Sequence, residues 1–289
     1  MATKRIYGKY EPISTETRAT LDKLYGDKEP QARAIAYQVS EIGEPIDQTV
    51  LFRGAAAINA AYMLRNTQKV PGTDLLSPKI RDFNDPAVEQ ELLAGLLDGS
   101  IKCEVVLTDI ENAPGFNKRK NFELSTNELY RVTTGKYAGL TFTKGMVTAK
   151  DGTQTKHLLL DIANTPFDKL TSSWQESNFD PFEFAYKLVQ THPGLSIDEY
   201  AAAVHVYWLN SNTWAIEYND PMAVPYCDLV RAEQVKDQDN VVVANTFNME
   251  LTGRTVTEDV CKSICEIAIE EVGKKIEQEN ANTQDDPQA

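Results

Sequence analysis

At 289 residues, 42% apolar and with a formal charge of −14, the chain is long enough for one large domain or two ordinary ones and can bury a sizeable core. No run approaches the roughly twenty apolar residues of a membrane span, and the opening MATKRIYGKYEPIS lacks the apolar stretch of a secretory signal. A cytoplasmic protein without membrane association is therefore expected. The charge is uneven: residues 1–80 carry +2, 81–160 carry −1 and 161–289 carry −15. A wide phosphate-binding platform is thereby excluded from the last part, while the first 160 residues could form one locally.

In chain order, residues 1–13 predict a flexible, extended N-terminal arm, with Lys4, Arg5 and Lys9 among the tyrosines Tyr7 and Tyr10 but no periodicity. Residues 14–100 predict a helical region. Its first helix, from Ser14, is stopped by Gly26; a second covers about residues 30–39; a third, alanine-rich, covers 49–64. Gly54 inside the third reads as a small residue permitting close helix packing, because no glycine-rich loop or strand precedes it. Asp85-Pro86, a cap followed by proline, opens a helix whose face is Val88, Leu92, Leu93, Leu96 and Leu97, and Gly99 ends it.

Residues 101–279 predict a mixed α+β region. Residues 101–110 alternate as a strand. Ser125 and Glu128 have capping-box spacing, which predicts a helix ended by Gly135. Two β-prone runs between 137 and 163 flank Lys150-Asp151-Gly152, a hairpin signal. The densest aromatic stretch, residues 178–218, predicts the core of this region. Within it, Asp180-Pro181 reads as a helix start, His192-Pro193-Gly194 as a stop, and Ser196 with Glu199 as a second capping box. Helix through about residue 209 is preferred over a hairpin of 204–209 with 213–218. Residues 226–235 read as helix or strand and 240–251 as a strand. Thr257 caps a final amphipathic helix, and residues 280–289 form a disordered acidic tail. The predicted fold class is α+β, predominantly helical, with a small antiparallel β region at about residues 101–163 and a C-terminal amphipathic helix.

Few residues bear chemistry. The four cysteines, Cys103, Cys227, Cys261 and Cys265, are irregularly spaced, as reduced buried thiols would be. Cys261 and Cys265 share a helix face, but no second pair completes a zinc site, so no metal and no cofactor are expected. Each of the three histidines, His157, His192 and His205, reads as structural, since none has the spacing of a metal or catalytic motif. His205 is expected to be a core or rim imidazole with one hydrogen bond.

The absence of a nucleophile elbow, a phosphate loop or dinucleotide glycines leans against an enzyme. The expected function is a non-enzymatic structural, assembly or binding protein. Homo-oligomers or a protein partner would be engaged through its surface and flexible ends. The alternative is a nucleic-acid-binding or nucleic-acid-processing protein. Its contacts would be the basic arm (Lys4, Arg5, Lys9) and a loop interleaving Lys118, Arg119 and Lys120 with Phe116 and Phe122, cations for phosphate and rings for bases.

Overall fold

The computed structural model describes residues 5–248. Ser14 caps α1 (Thr15–Tyr25), its hydroxyl accepting from the Thr17 N–H, and Gly26 ends the helix. Then come α2 (Pro30–Ser40), α3 (Gln48–Asn66), β1 (Lys79–Arg81) and α4 (Pro86–Asp98). Asp85 caps α4 through the Ala87 and Val88 N–H groups, and Gly99 closes it with φ at 78°, as the sequence predicts. The β elements follow: β2 (Cys103–Thr108), β3 (Asn117–Lys118), β4 (Phe122–Leu124), β5 (Glu128–Val132), β6 (Thr141–Thr148) and β7 (Gln154–Asp161). The described chain ends with α5 (Ser172–Thr191), α6 (Ile197–Ser211), α7 (Thr213–Glu217) and α8 (Arg231–Asn248). No helix among the described residues is long and apolar enough to cross a membrane.

The chain divides into two compact units: residues 5–62 with 176–248, and Met63–Gln175. The expected boundary near residue 100 thus falls inside the second unit. That unit holds a seven-stranded sheet in the order β2-β5-β6-β7-β1-β3, with β4 on β6. All pairings are antiparallel except β1 with β3. The α+β class holds, but the β region is mixed and starts at Lys79 rather than about residue 101. Ile80, Ile110, Phe122, Leu129 and Leu159 lie in one buried cluster of this unit. The β6–β7 hairpin pairs Phe142 with Leu160 through to Thr148 with Gln154. Asp151 stabilises its turn by accepting from the Thr153 N–H, an Asx turn within which Gly152 takes the positive φ.

The first unit is helical. Ser196 and Glu199 complete a reciprocal capping box on α6, so the helical alternative holds, and residues 213–217 are helix rather than strand. Close packing at Gly54 is also found: a Cβ there would lie 2.0 Å from Phe182 Cζ.

Three expectations are corrected. Residues 128–132 form β5, not a helix, because Leu129 and Val132 are buried and the segment pairs with β2 and β6. A capping-box spacing specifies only an entrance to a helix, and sheet partners on both sides outweigh it. Residues 240–248 belong to α8, not a strand; Val235, Val241, Val243 and Ala244 are buried along the helix, so packing overrides the β preference of the valines. Helix α5 begins at Ser172, leaving Pro181 in its interior, and Asp180 accepts from the Lys9 N–H instead of capping a helix start. The expected helix from Thr257, the acidic tail at 280–289, Cys261, Cys265 and Lys4 lie outside the described residues.

Candidate interaction groove

Residues 5–13 have no secondary structure of their own, yet their chemistry is spent on the helical unit around them. Their polar groups find partners far along the chain. The Arg5 guanidinium donates to both oxygens of Glu183, with Nη2 to Oε1 at 2.9 Å. The Ile6 and Tyr7 N–H groups converge on Gln48 Oε1 at 2.7 and 3.0 Å. The Lys9 N–H donates to Asp180 Oδ1 at 2.8 Å, the Tyr10 hydroxyl to the Val39 carbonyl at 2.9 Å, and the Ile13 N–H to Ser40 Oγ at 3.2 Å. A backbone without a ladder must find such acceptors or stay in water.

Aromatic packing runs alongside. Tyr7 stacks on Phe179 at 5.1 Å and tilts against Phe52 at 5.3 Å. Tyr10 stacks on Tyr207 at 5.2 Å, and Tyr207 on Phe184 at 4.4 Å. Tyr10 and Ile13 are buried, whereas Ile6 points outward. The segment expected to be a free arm is thus, over its described part, a strap seated in a groove of α3, α5 and α6. Tyr7, Tyr10 and Ile13, three residues apart, face that groove.

The anchor is ionic. Glu183 is fully buried, and a buried carboxylate is tolerable only when paired and hydrogen-bonded. It meets Arg5 on one side and Lys187 Nζ at 2.7 Å on the other. Lys187 also donates to the Ile42 carbonyl at 2.6 Å and sits 3.6 Å from the Tyr10 ring centre, a cation–π contact. The bond to Glu183 raises the Arg5 pKa. Burial lowers that of Lys187, with Glu183 acting in the opposite sense. Burial also raises the Tyr10 and Asp180 pKa values. Neither Glu183 nor Lys187 carried a sequence signal; only the helical spacing of the pair, four apart on α5, is visible beforehand.

Several of the residues expected to contact nucleic acid have partners within the chain. Arg5 is bound to Glu183, and Lys9 Nζ lies 3.1 Å from Glu176. In the other unit, Lys118 pairs with Glu111 and Arg119 with Asp82, both at 2.9 Å. Phe122 is 4% exposed in the core and Phe116 packs against it, so Phe122 cannot stack a base without leaving the core. Lys120 is exposed.

Each histidine has a hydrogen-bond partner within the chain. His157 meets Glu89, not Asp161, at 3.0 Å, and His192 meets the Thr191 hydroxyl. His205 exceeds expectation: Nδ1 lies 3.0 Å from Asp237 and Nε2 2.9 Å from the Val224 carbonyl. Burial is the largest influence and opposes its charge, but the bond to Asp237, the charges of Asp237 and Glu29 and the Val224 carbonyl together raise its pKa. With both ring nitrogens engaged and the ring 3% exposed, no lone pair faces a substrate. Among the described residues, no three His, Cys, Asp or Glu side chains gather as a metal ion requires. Comparison with family models, curated proteins and solved structures finds no match to this chain.

Proposed function

We propose that this is a non-enzymatic assembly protein whose copies associate by exchanging the strap, residues 5–13 of one copy occupying the groove of the next. The observation that carries this reading is the strap's character as a bound peptide. It has no internal hydrogen-bond ladder, and its affinity comes from side chains on α3, α5 and α6. Every such contact can be made equally by a second copy, so exchange costs little beyond the freedom of the joined chains. Cys103 and Cys227 are free and exposed rather than buried as expected, and unpaired thiols suit a reducing, cytoplasmic setting.

Light scattering over a concentration series tests this. Oligomers should grow with concentration, and an excess of a synthetic peptide of residues 1–13 should disperse them by competing for the groove. A strict monomer at high micromolar concentration defeats the proposal, as do oligomers indifferent to the peptide.

A further inference from the structure

His205 of α6 lies between two acceptors that come from different segments of the helical unit. Its Nδ1 is 3.0 Å from Asp237 Oδ2 on α8, and its Nε2 is 2.9 Å from the Val224 carbonyl, just ahead of Pro225 and the short turn Tyr226–Asp228. A backbone carbonyl can only accept, and a neutral imidazole carries a single N–H. Both contacts are therefore met only when the pair holds two protons, one on Nε2 and one in the bond to Asp237. With one proton fewer, the carboxylate keeps the remaining N–H, and a nitrogen lone pair is left facing the Val224 oxygen.

The surroundings hold the second proton in place. Burial disfavours an unbalanced charge and raises the Asp237 pKa; the two-proton pair is neutral overall, whereas the pair that has lost one leaves a buried carboxylate without a counter-charge. Glu29, just ahead of α2, also favours the charged ring, while Glu233 and Lys236 on α8 act on Asp237 in opposite senses. The charge of Asp237 reaches Tyr25 of α1 and Tyr226, raising both of their pKa values. Trp208 stacks on the imidazole at 5.7 Å, and the Tyr226 ring is tilted 6.4 Å away. The segment that the Val224 carbonyl leads into has a second role: Tyr226 and Cys227 line a cavity of about 440 Å³, together with Ala32 and Ile35 of α2 and Ala202 of α6.

We propose that His205 and Asp237 form a proton-operated clasp. With two protons they hold the 224–228 segment to α6 and α8; with one they release the Val224 carbonyl and loosen that wall of the cavity. The clasp acts independently of the strap. Because the folded pKa of the ring lies above its ordinary value of 6.5, the clasp is fully closed below about pH 6.5 and opens as pH rises through the folded value. The two groups titrate as one pair.

An NMR titration of the full-length protein from acid to alkaline pH reads the clasp without any substitution. Both ring nitrogens of His205 should carry a proton at neutral pH, and the Val224 carbonyl-carbon shift should step at the midpoint of the ring. Corrected for the intrinsic pH trend, the Cys227 amide, bonded to Glu29 at 3.1 Å, should exchange about tenfold faster or more beyond that midpoint. Asp237→Asn is the control: an amide N–H can donate to Nδ1, so a neutral ring satisfies both neighbours, and the Val224 step should vanish. The wild-type titration decides the matter whether or not that variant folds. The proposal is overturned if the ring is neutral at neutral pH, if the Val224 shift or the Cys227 exchange ignores the ring's midpoint, or if folded Asp237→Asn keeps the step.

Discussion

Replacing Gly8 by alanine isolates the docking of the strap from the folding of the body. Gly8 has φ at +73°, and a Cβ there would lie 2.5 Å from Asp180 Oδ1 and 3.2 Å from Phe179 Cβ. An L side chain in the left-handed region costs about 1–2 kcal/mol. The Asp180 carboxylate must also retreat from the new methyl group. In doing so it gives up the 2.8 Å bond from the Lys9 N–H, worth about 1.5–3 kcal/mol for a charged acceptor. Reduced freedom of the undocked chain returns the strain only in part, about 0.4–1 kcal/mol. The net loss is about 3 kcal/mol, roughly a hundredfold in the docking equilibrium. Hydrogen exchange reads this directly: the Ile6, Tyr7 and Lys9 amides, bonded to Gln48 and Asp180, should exchange about a hundredfold faster, while the amides of α6 keep their protection. Unchanged protection at Lys9 would refute the strap's anchoring at Asp180, and with it the close fit that the exchange model requires.

Two further outcomes are expected. Gly54→Ala sets a helix-propensity gain of about 1 kcal/mol against overpacking of about 1–3 kcal/mol, and overpacking should win. Three atoms of the buried Phe182 ring lie within 2.3 Å of the new Cβ, and that ring is hemmed in by Tyr186 and Phe247. Urea denaturation should show a lower midpoint in the wild-type background and a higher one in a Phe182→Leu background; stabilisation in both contradicts the close packing. Asp161 gives a pH prediction. Burial raises its pKa from 3.8 to about 6, against the bonds from Asn164, Lys79 and Ala163 that favour the charged form. Because the folded value exceeds the unfolded one, its contribution is fully present below about pH 4 and is lost as pH rises through about 6. The loss is on the order of 3 kcal/mol. A carboxyl-carbon NMR titration should place its midpoint near 6, and a midpoint below 4 refutes the assignment.

What the sequence alone determined was decided within a few residues. Asp85-Pro86 starts α4, Ser196 with Glu199 starts α6, and Asp151-Gly152 turns the β6–β7 hairpin, because caps and turns satisfy backbone groups that lie beside them. What the tertiary structure decided needed partners remote in sequence. Residues 128–132 became a strand because β2 and β6 flank them, not because of Ser125 and Glu128. His205 became doubly bonded only when α8 brought Asp237 to it. The strap is the clearest case. Arg5 and Glu183 are 178 residues apart, and from composition alone Arg5 looks like a free cation on a loose end. The buried carboxylate that makes it an anchor exists only once α5 has folded, since the cost of burying Glu183 arises with the core and is offset by the two cations packed against it.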